Sequence, residues 1–174
     1  MVGSLLVTGG VRSGKSFYAE ARVRACRGRP TLIETTSPRD EEMAARIAAQ
    51  KARRGTDWIT VREPLGLVRA IRETDGTGPR LVECLAGWLS NVMLDRFDWF
   101  ESVRELETAV AEQNSPLVLV SSEIGGGAPA STLTRRYQEA VGLMNQAIAE
   151  IADEVVVVIA GQPLTLKPPG HWTA

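Results

Sequence analysis

The fold of this chain is decided by residues 5–16, which read Leu5-Leu6-Val7-Thr8-Gly9-Gly10-Val11-Arg12-Ser13-Gly14-Lys15-Ser16. A short apolar run leads into a loop of the form G-x-x-x-x-G-K-S, and a helical pattern follows the loop. Gly9 and Gly14 let the backbone approach an anion and point successive N–H groups at it. Lys15 supplies a positive charge for the terminal phosphates of a nucleotide, and Ser16 supplies a hydroxyl for Mg²⁺. The alternative is a glycine turn before a Lys-Ser helix cap, but the flanking strand and helix favour phosphate binding.

The composition is typical of one compact α/β domain. The chain has 174 residues, of which 44% are hydrophobic. Its net charge is −1, and acidic and basic residues are interspersed along the sequence. This pattern argues against a nucleic-acid surface, and one histidine leaves little for a histidine-rich metal site. Cys26 and Cys84 indicate neither a disulfide framework nor zinc spacing, and we expect Cys84, in an apolar run, to be buried. We see no signal peptide and no membrane-spanning run, so we expect a soluble, reduced, cytoplasmic protein.

Five short apolar runs predict strands, and helical patterns alternate with them. The strand runs cover residues 5–8, 31–35, 80–85, 117–121 and 154–160, and they show the near-continuous apolarity of buried parallel strands. The predicted helices cover residues 15–27, 38–54, 64–73, 87–95, 99–113 and 132–151. In the last helix, residues at three- and four-residue steps predict a stripe that faces the core: Leu133, Tyr137, Val141, Met144, Ile148 and Ile151. The alternation predicts a mostly parallel sheet in one domain over residues 1–167, with a C-terminal tail over residues 168–174.

Polar residues follow several predicted strands at the edge where parallel sheets bind ligands. The phosphate loop follows Thr8, residues 35–37 follow the second run, and residues 121–123 follow the fourth. Glu83 lies in an otherwise apolar run, which favours an ion-linked role over a charge on an edge strand. Glu123 precedes three glycines at 125–127, which either close over a substrate or only turn the chain.

Several stretches together resemble the adenosylcobinamide kinase / adenosylcobinamide-phosphate guanylyltransferase family of cobalamin biosynthesis. Besides the loop with its arginine, they are residues 40–47 (DEEMAARI), 58–60 (WIT), 83–85 (ECL), 88–91 (WLSN), 123–125 (EIG), 145–146 (NQ) and 152–155 (ADEV). Their order and spacing hold from about Leu5 to Lys167. The P-loop alone is shared by many families, whereas its combination with the acidic-Met-x-x-Arg-Ile helix and the Glu-Cys-Leu strand is far more specific.

The resemblance implies a P-loop fold with a RecA-like, mostly parallel sheet flanked by helices, in a homo-oligomer. It implies phosphate transfer from ATP or GTP to the corrinoid adenosylcobinamide, followed by attachment of GMP from GTP. The catalytic residues implied are Lys15, Ser16 and Glu83, of which Ser16 and Glu83 would hold Mg²⁺. The nucleotide-binding residues implied are Gly9, Gly10, Val11, Arg12, Ser13, Gly14, Lys15, Ser16, Thr35, Thr36, Ser37, Lys51, Ala52, Arg53, Arg54 and Glu83.

Residue 50 departs from this family. The family's second reaction runs through a histidine that becomes bonded to GMP, and counting from Arg46-Ile47 or back from Trp58 places that position at Gln50. An amide nitrogen has its lone pair delocalised into the carbonyl, so Gln50 should not form the intermediate. Three options follow: a kinase without guanylyl transfer, a role for His171 from the tail, or an inactive nucleotide-binding relative. Three further positions differ from the residues usual in the family: Arg62, Ala86 and Ser122.

Two classes of function therefore remain open, a transferase and a nucleotide-binding module without turnover. The intact Lys15, Ser16 and Glu83 favour the enzyme, because a pure binder does not need a carboxylate for the metal. The changes at Gln50, Arg62 and Ala86 favour the module or an enzyme with a restricted reaction.

Overall fold

The computed structural model describes residues 3–36, 41–125 and 131–169, with the side chains of Met43 and Arg46 left aside. In this part of the chain seven strands form one sheet: β1 (Ser4–Thr8), β2 (Thr31–Glu34), β3 (Ile59–Arg62), β4 (Arg80–Glu83), β5 (Leu117–Val120), β6 (Glu154–Ile159) and β7 (Gln162–Lys167). Their order is β3-β2-β4-β5-β1-β6-β7. Only β7, which pairs with β6, is antiparallel to its neighbour. The predicted mostly parallel α/β sheet is therefore confirmed.

The sequence patterns miss β3 and β7, the two strands at the sheet edges. Both are largely exposed, so neither contains the continuous apolar run that indicates a buried strand. The five predicted strands are present, but the predictions for 31–35, 80–85, 117–121 and 154–160 extend one or two residues too far. After β2 and β5 the chain leaves the sheet into polar segments at its carboxyl edge, whereas β4 leads through Cys84 directly into the next helix.

Six helices cover the two faces of the sheet in the described residues: α1 (Lys15–Arg24), α2 (Glu41–Arg54), α3 (Leu67–Glu73), α4 (Leu85–Leu94), α5 (Trp99–Glu112) and α6 (Thr132–Ile151). Side chains of β1 alternate between two cores: Leu5 and Val7 pack with Ala19 and Val23 of α1, whereas Leu6 packs in the core that α3 to α6 cover. None of the described helices is long and apolar enough to cross a membrane.

The helix boundaries differ from the predictions at several ends. Helix α1 ends at Arg24 rather than residue 27, α3 begins at Leu67 rather than 64, and α4 begins at Leu85 rather than 87. The start predicted at residue 38 lies outside the described residues, and α2 is described from Glu41. Helix α4 begins earlier because Cys84 caps it, its sulfur accepting a hydrogen bond from the Gly87 amide at 3.4 Å.

Most of the predicted core stripe of α6 is confirmed. Val141, Met144 and Ile148 are buried, and Tyr137 and Ile151 pack partly against the same core. Leu133 is 65% exposed, so its assignment to the core was wrong. It lies in the first turn of α6, and the buried residues of this helix begin at Ala140. Cys84 is half-buried rather than buried, because it lies at the open carboxyl edge of the sheet.

A buried arginine lies at the start of β4, at the opposite edge of the sheet. The Arg80 guanidinium donates to the carbonyl of Ile71 at 2.8 Å, to Oε1 of Gln113 at 2.6 Å and to the carbonyl of Ser115 at 2.7 Å. Its counter-ion is Asp75, whose Oδ1 lies 3.0 Å from Nη2 of Arg80. The cluster joins the turn after α3 to the turn before β5.

The carboxyl of Asp75 has a lowered pKa. Its partial burial raises the pKa, but hydrogen bonds from Asn114 and the Ser115 amide, together with the charge of Arg80, outweigh that effect. A carboxyl whose pKa is lower in the folded chain stabilises the fold above its unfolded pKa of about 3.9, and this contribution is lost as the pH falls through the folded pKa.

We expect Asp75→Ala to lower the free energy of unfolding by about 2–3 kcal/mol, because it leaves the buried Arg80 charge without its counter-ion. Urea denaturation at pH 7 measures this loss, and Glu73→Ala, at an exposed neighbouring carboxylate, is the matched control. The difference between wild type and Asp75→Ala should shrink as the pH is lowered from about 5 towards 2. An unchanged stability at pH 7 would contradict the role of this ion pair.

Candidate active site

The loop between β1 and α1 lies so close to β6 that glycine is required at two positions. Gly9 has φ 151°, and a Cβ on it would lie 2.5 Å from the carbonyl oxygen of Val158. Gly14 has φ 97°, and a Cβ there would lie 3.2 Å from the Cα of Gly161. A side chain at either position would push the loop away from the sheet.

Hydrogen bonds then fix the shape of this loop. The Ser13 amide donates to the Gly10 carbonyl at 3.3 Å, and the Gly161 amide donates to the Ser13 carbonyl at 2.8 Å. The Lys15 ammonium donates to the Gly10 carbonyl at 3.0 Å, so the lysine lies across the loop. The first intrahelical bond runs from the Tyr18 amide to the Gly14 carbonyl, and the N–H groups of residues 15–17 therefore form the positive end of the helix dipole. This geometry suits a bound polyphosphate.

The sheet register brings Glu83 to the level of the loop. Val7, the residue before Thr8, pairs with Val120, and Val120 pairs with Glu83, the last residue of β4. A cavity of about 190 Å³ opens above these strand ends. Six residues singled out in the sequence line it: Lys15, Ser16, Thr36, Gln50, Arg54 and Glu83. The phosphate loop, the strand carboxylate and the end of α2 thus meet in one place.

Arg54, at the end of α2, lies buried between two carboxylates. Its Nε donates to Oε1 of Glu20 on α1 at 2.8 Å, and its Nη2 donates to Oε2 of Glu83 in a short ion pair. Arg53 also donates to Glu20, at 2.8 and 3.2 Å. Gln50, one turn earlier on α2, donates from Nε2 to Oε1 of Glu83 at 3.3 Å. The helix that carries residue 50 is therefore attached to both the P-loop helix and the carboxylate of β4.

The residues predicted to line the nucleotide site lie in different environments. Gly10, Val11 and Arg12 are exposed on the outer side of the loop, whereas Ser13 is buried beneath it. The Ser13 hydroxyl has no hydrogen-bond partner among the described residues. Ser16 shares the cavity with Lys15. The P-loop motif thus presents Lys15 and Ser16, rather than the outer side chains of the loop, to the cavity.

Beyond the loop, the predicted site residues divide between those in the cavity and those outside it. Thr35 is fully buried, and its hydroxyl donates to the Cys84 carbonyl at 2.8 Å, so it joins the ends of β2 and β4 rather than lining the cavity. Thr36 lines the cavity. Lys51 and Ala52 are exposed on α2. Two candidates, Ser37 and His171, lie outside the described residues.

Glu123 is joined to the loop through its backbone. Its amide donates to the Gly9 carbonyl at 3.1 Å, and its carboxylate accepts from Nδ2 of Asn145 at 3.0 Å. Asn145 in turn accepts from the buried Ser121 hydroxyl at 2.6 Å. These bonds tie the end of β5 to the P-loop. Two of the three glycines on which the closing loop was predicted lie outside the described residues.

Sequence reasoning missed Glu20 and Phe17. Glu20 looks like an ordinary polar helix residue, but it is buried because two arginines of α2 reach it. Phe17 follows the P-loop serine and is exposed, which a hydrophobicity pattern does not predict. The sequence did contain one signal: Glu20 directly follows Ala19 on the side of α1 that faces the core. A carboxylate in such a place indicates an ion pair.

A sheet of this order with a G-x-x-x-x-G-K-S loop between a central strand and a helix defines a P-loop nucleotide-binding protein. Solved structures share the fold at 12% identity. The P4 protein of bacteriophage phi6, solved in complex with ADP, has a TM-score of 0.52 and covers 97% of this chain and 55% of its own. The flagellar accessory protein FlaH of Methanocaldococcus jannaschii has a TM-score of 0.50. The match covers 95% of this chain and 78% of FlaH.

The family model described as cobinamide kinase / cobinamide phosphate guanyltransferase matches residues 5–166, so the chain belongs to that family. The bifunctional adenosylcobalamin biosynthesis protein CobP of Pseudomonas aeruginosa is 39% identical over 93% of this chain and 96% of its own. The bifunctional adenosylcobalamin biosynthesis protein CobU of Escherichia coli K12 is 32% identical over 94% of this chain and 99% of its own length. The predicted family is confirmed, and with it the class of enzyme, a phosphotransferase with a nucleotide substrate.

We expect Arg54→Met to lower the free energy of unfolding by about 3 kcal/mol, because it leaves Glu83 without its buried counter-ion. The matched control is Arg62→Met, whose arginine makes an exposed ion pair with Glu34 at 3.0 Å and should contribute less than about 1 kcal/mol. Chemical denaturation of both variants gives the comparison. Equal losses would show that Arg54 is no more important than a surface arginine.

Proposed function

We propose that this chain transfers a phosphate from ATP or GTP to a hydroxyl of adenosylcobinamide. One observation carries the proposal: a single cavity is lined by Lys15 and Ser16, in the first turn of α1, and by Glu83, at the end of β4. Phosphoryl transfer requires alignment and charge neutralisation more than covalent chemistry. Lys15 and the first-turn amides of α1 supply the positive charge for the phosphates.

The cavity suits Mg²⁺ bound together with the nucleotide. The Ser16 hydroxyl and the Glu83 carboxylate are the hard oxygen donors that Mg²⁺ prefers, and Mg²⁺ would lower the charge on the transferring phosphate. No group of three or more His, Cys, Asp or Glu residues that suits a metal is found within the described ranges, so phosphates and water would complete the coordination. Arg54 and Gln50 occupy two of the roughly four lone-pair sites of Glu83, which leaves acceptor capacity facing the cavity.

We further propose that guanylyl transfer does not pass through residue 50. Gln50 lines the cavity beside Lys15 and Ser16, where a nucleophile would meet a bound nucleotide. Its amide nitrogen donates to Glu83 and has no lone pair available for attack on the α-phosphate. These observations favour a kinase without the family's second reaction. A homo-oligomeric state and a cytoplasmic location remain predictions of the same proposal.

Lys15→Ala should lower kcat/KM for cobinamide phosphorylation at least about 100-fold, because it removes a charge that stabilises the transferring phosphate. Mass analysis of the corrinoid after incubation with Mg²⁺ and ATP or GTP measures the product. The matched control is Lys167→Ala at the end of β7, which should keep wild-type activity. Full activity of Lys15→Ala would refute the site, and nucleotide binding by the wild type without turnover would identify a binding module.

Wild-type protein incubated with GTP labelled at its α-phosphate should carry no acid-labile GMP. Gln50→His should gain some label, because a neutral imidazole can attack the α-phosphate and release pyrophosphate. Gln50→Ala is the control, since it removes the amide without adding a nucleophile. Stoichiometric labelling of the wild type would show that another residue is the nucleophile.

A further inference from the structure

Phe17 is an aromatic side chain on the surface directly after the P-loop. It is the third residue of α1 and is 64% exposed, although the helix buries Ala19 and Glu20. It lines a second cavity, of about 220 Å³, whose walls also include Ser13, Lys15, Ser16, Gln50 and Arg53. The ring therefore lies beside the residues that would hold the phosphates of a nucleotide.

Arg53 holds this ring from one side. Its guanidinium carbon lies 5.6 Å from the centroid of the Phe17 ring, within the range of a cation–π contact. The same guanidinium donates two hydrogen bonds to Glu20, whose side chain is buried. Because a buried carboxylate fixes Arg53, the arginine restricts the ring as well. Phe17 thus contacts Arg53 and also lines the cavity.

The two cavities at the P-loop share Lys15, Ser16 and Gln50. The phosphates of a nucleotide held by the loop would lie at these shared residues. One cavity continues to Glu83, which suits the phosphate that is transferred, and the other continues to Phe17. The amide of Phe17 itself belongs to the first helical turn that faces the phosphates. The nucleoside end of the ligand would then leave the loop past the Phe17 ring.

We propose that Phe17, held by Arg53, is the platform on which the base of the bound nucleotide stacks. The proposal rests on nucleotide binding by the P-loop and assigns a base-binding residue to that site. Stacking on an aromatic ring accepts any base, because every base has a π-face. This tolerance agrees with a site that takes either ATP or GTP. A corrinoid on the same ring is the competing occupant that the experiment below tests.

The experiment uses calorimetry on wild type, Phe17→Ala and Phe17→Trp. It compares binding of GTP, ATP and inorganic tripolyphosphate, each with Mg²⁺, and binding of cobinamide. Tripolyphosphate carries the phosphate chain of the nucleotide without the ribose and the base. We expect Phe17→Ala to bind GTP and ATP about 5- to 100-fold more weakly and tripolyphosphate equally well. Phe17→Trp should keep wild-type affinity for both nucleotides. The matched control is Phe97→Ala, which removes another exposed phenylalanine, 58% exposed, from the connection between α4 and α5.

Three results would overturn the inference. Unchanged nucleotide binding by Phe17→Ala would show that the base does not contact the ring. Equal weakening of nucleotide and tripolyphosphate would show that the ring acts through the loop. Weaker corrinoid binding with unchanged nucleotide binding would assign the ring to the other substrate. A wild type that binds neither nucleotide nor tripolyphosphate would instead refute the P-loop site itself.

Discussion

The contact of Arg54 with two carboxylates joins the three elements from which the candidate active site is built. Glu20 belongs to the helix after the P-loop, Glu83 ends the strand at the cavity, and Arg54 ends the helix that carries residue 50. A buried guanidinium between two carboxylates satisfies charges that would otherwise be costly to bury. Because each partner lies on a different element, the pair also fixes the distance between the phosphate loop and the carboxylate. The cavity between the phosphate loop and Glu83 depends on this distance.

The order of the sheet explains why these residues meet although they are far apart in sequence. Strand β1 lies between β5 and β6, and β4 lies on the other side of β5, so the loop after β1 faces the end of β4 across one strand. Parallel strands place all their carboxyl ends at one edge. The P-loop, Glu83 and the turn that contains Glu123 therefore surround one cleft. The bonds of Asn145 and Thr35 beneath this cleft hold the strand ends together.

The features predictable from sequence are those that a local pattern determines. The glycines and Lys15 reveal the phosphate loop, and the continuous apolar runs reveal the five inner strands, because each signal lies within a few residues. Edge strands β3 and β7 lack such a run, since both are largely exposed. The pairing of Arg54 with Glu20 joins residues 34 positions apart, and no local pattern indicates it. Leu133 has the three- and four-residue spacing of the core stripe of α6. This spacing does not predict which turns of the helix contact the core, and Leu133 is exposed.

The environment of Gln50 supports the proposal that phosphoryl transfer persists in this chain without the family's guanylyl transfer. A neutral histidine donates a hydrogen bond through one ring nitrogen while the other keeps a lone pair. The amide of Gln50 reproduces the donation to Glu83 but not the lone pair. Under the proposal that residue 50 is the position of the family's histidine, glutamine keeps the contact that holds α2 against the carboxylate of Glu83 but lacks the nucleophile. Lys15, Ser16 and Glu83 keep their places in the cavity, and the chemistry that needs only charge and alignment remains possible.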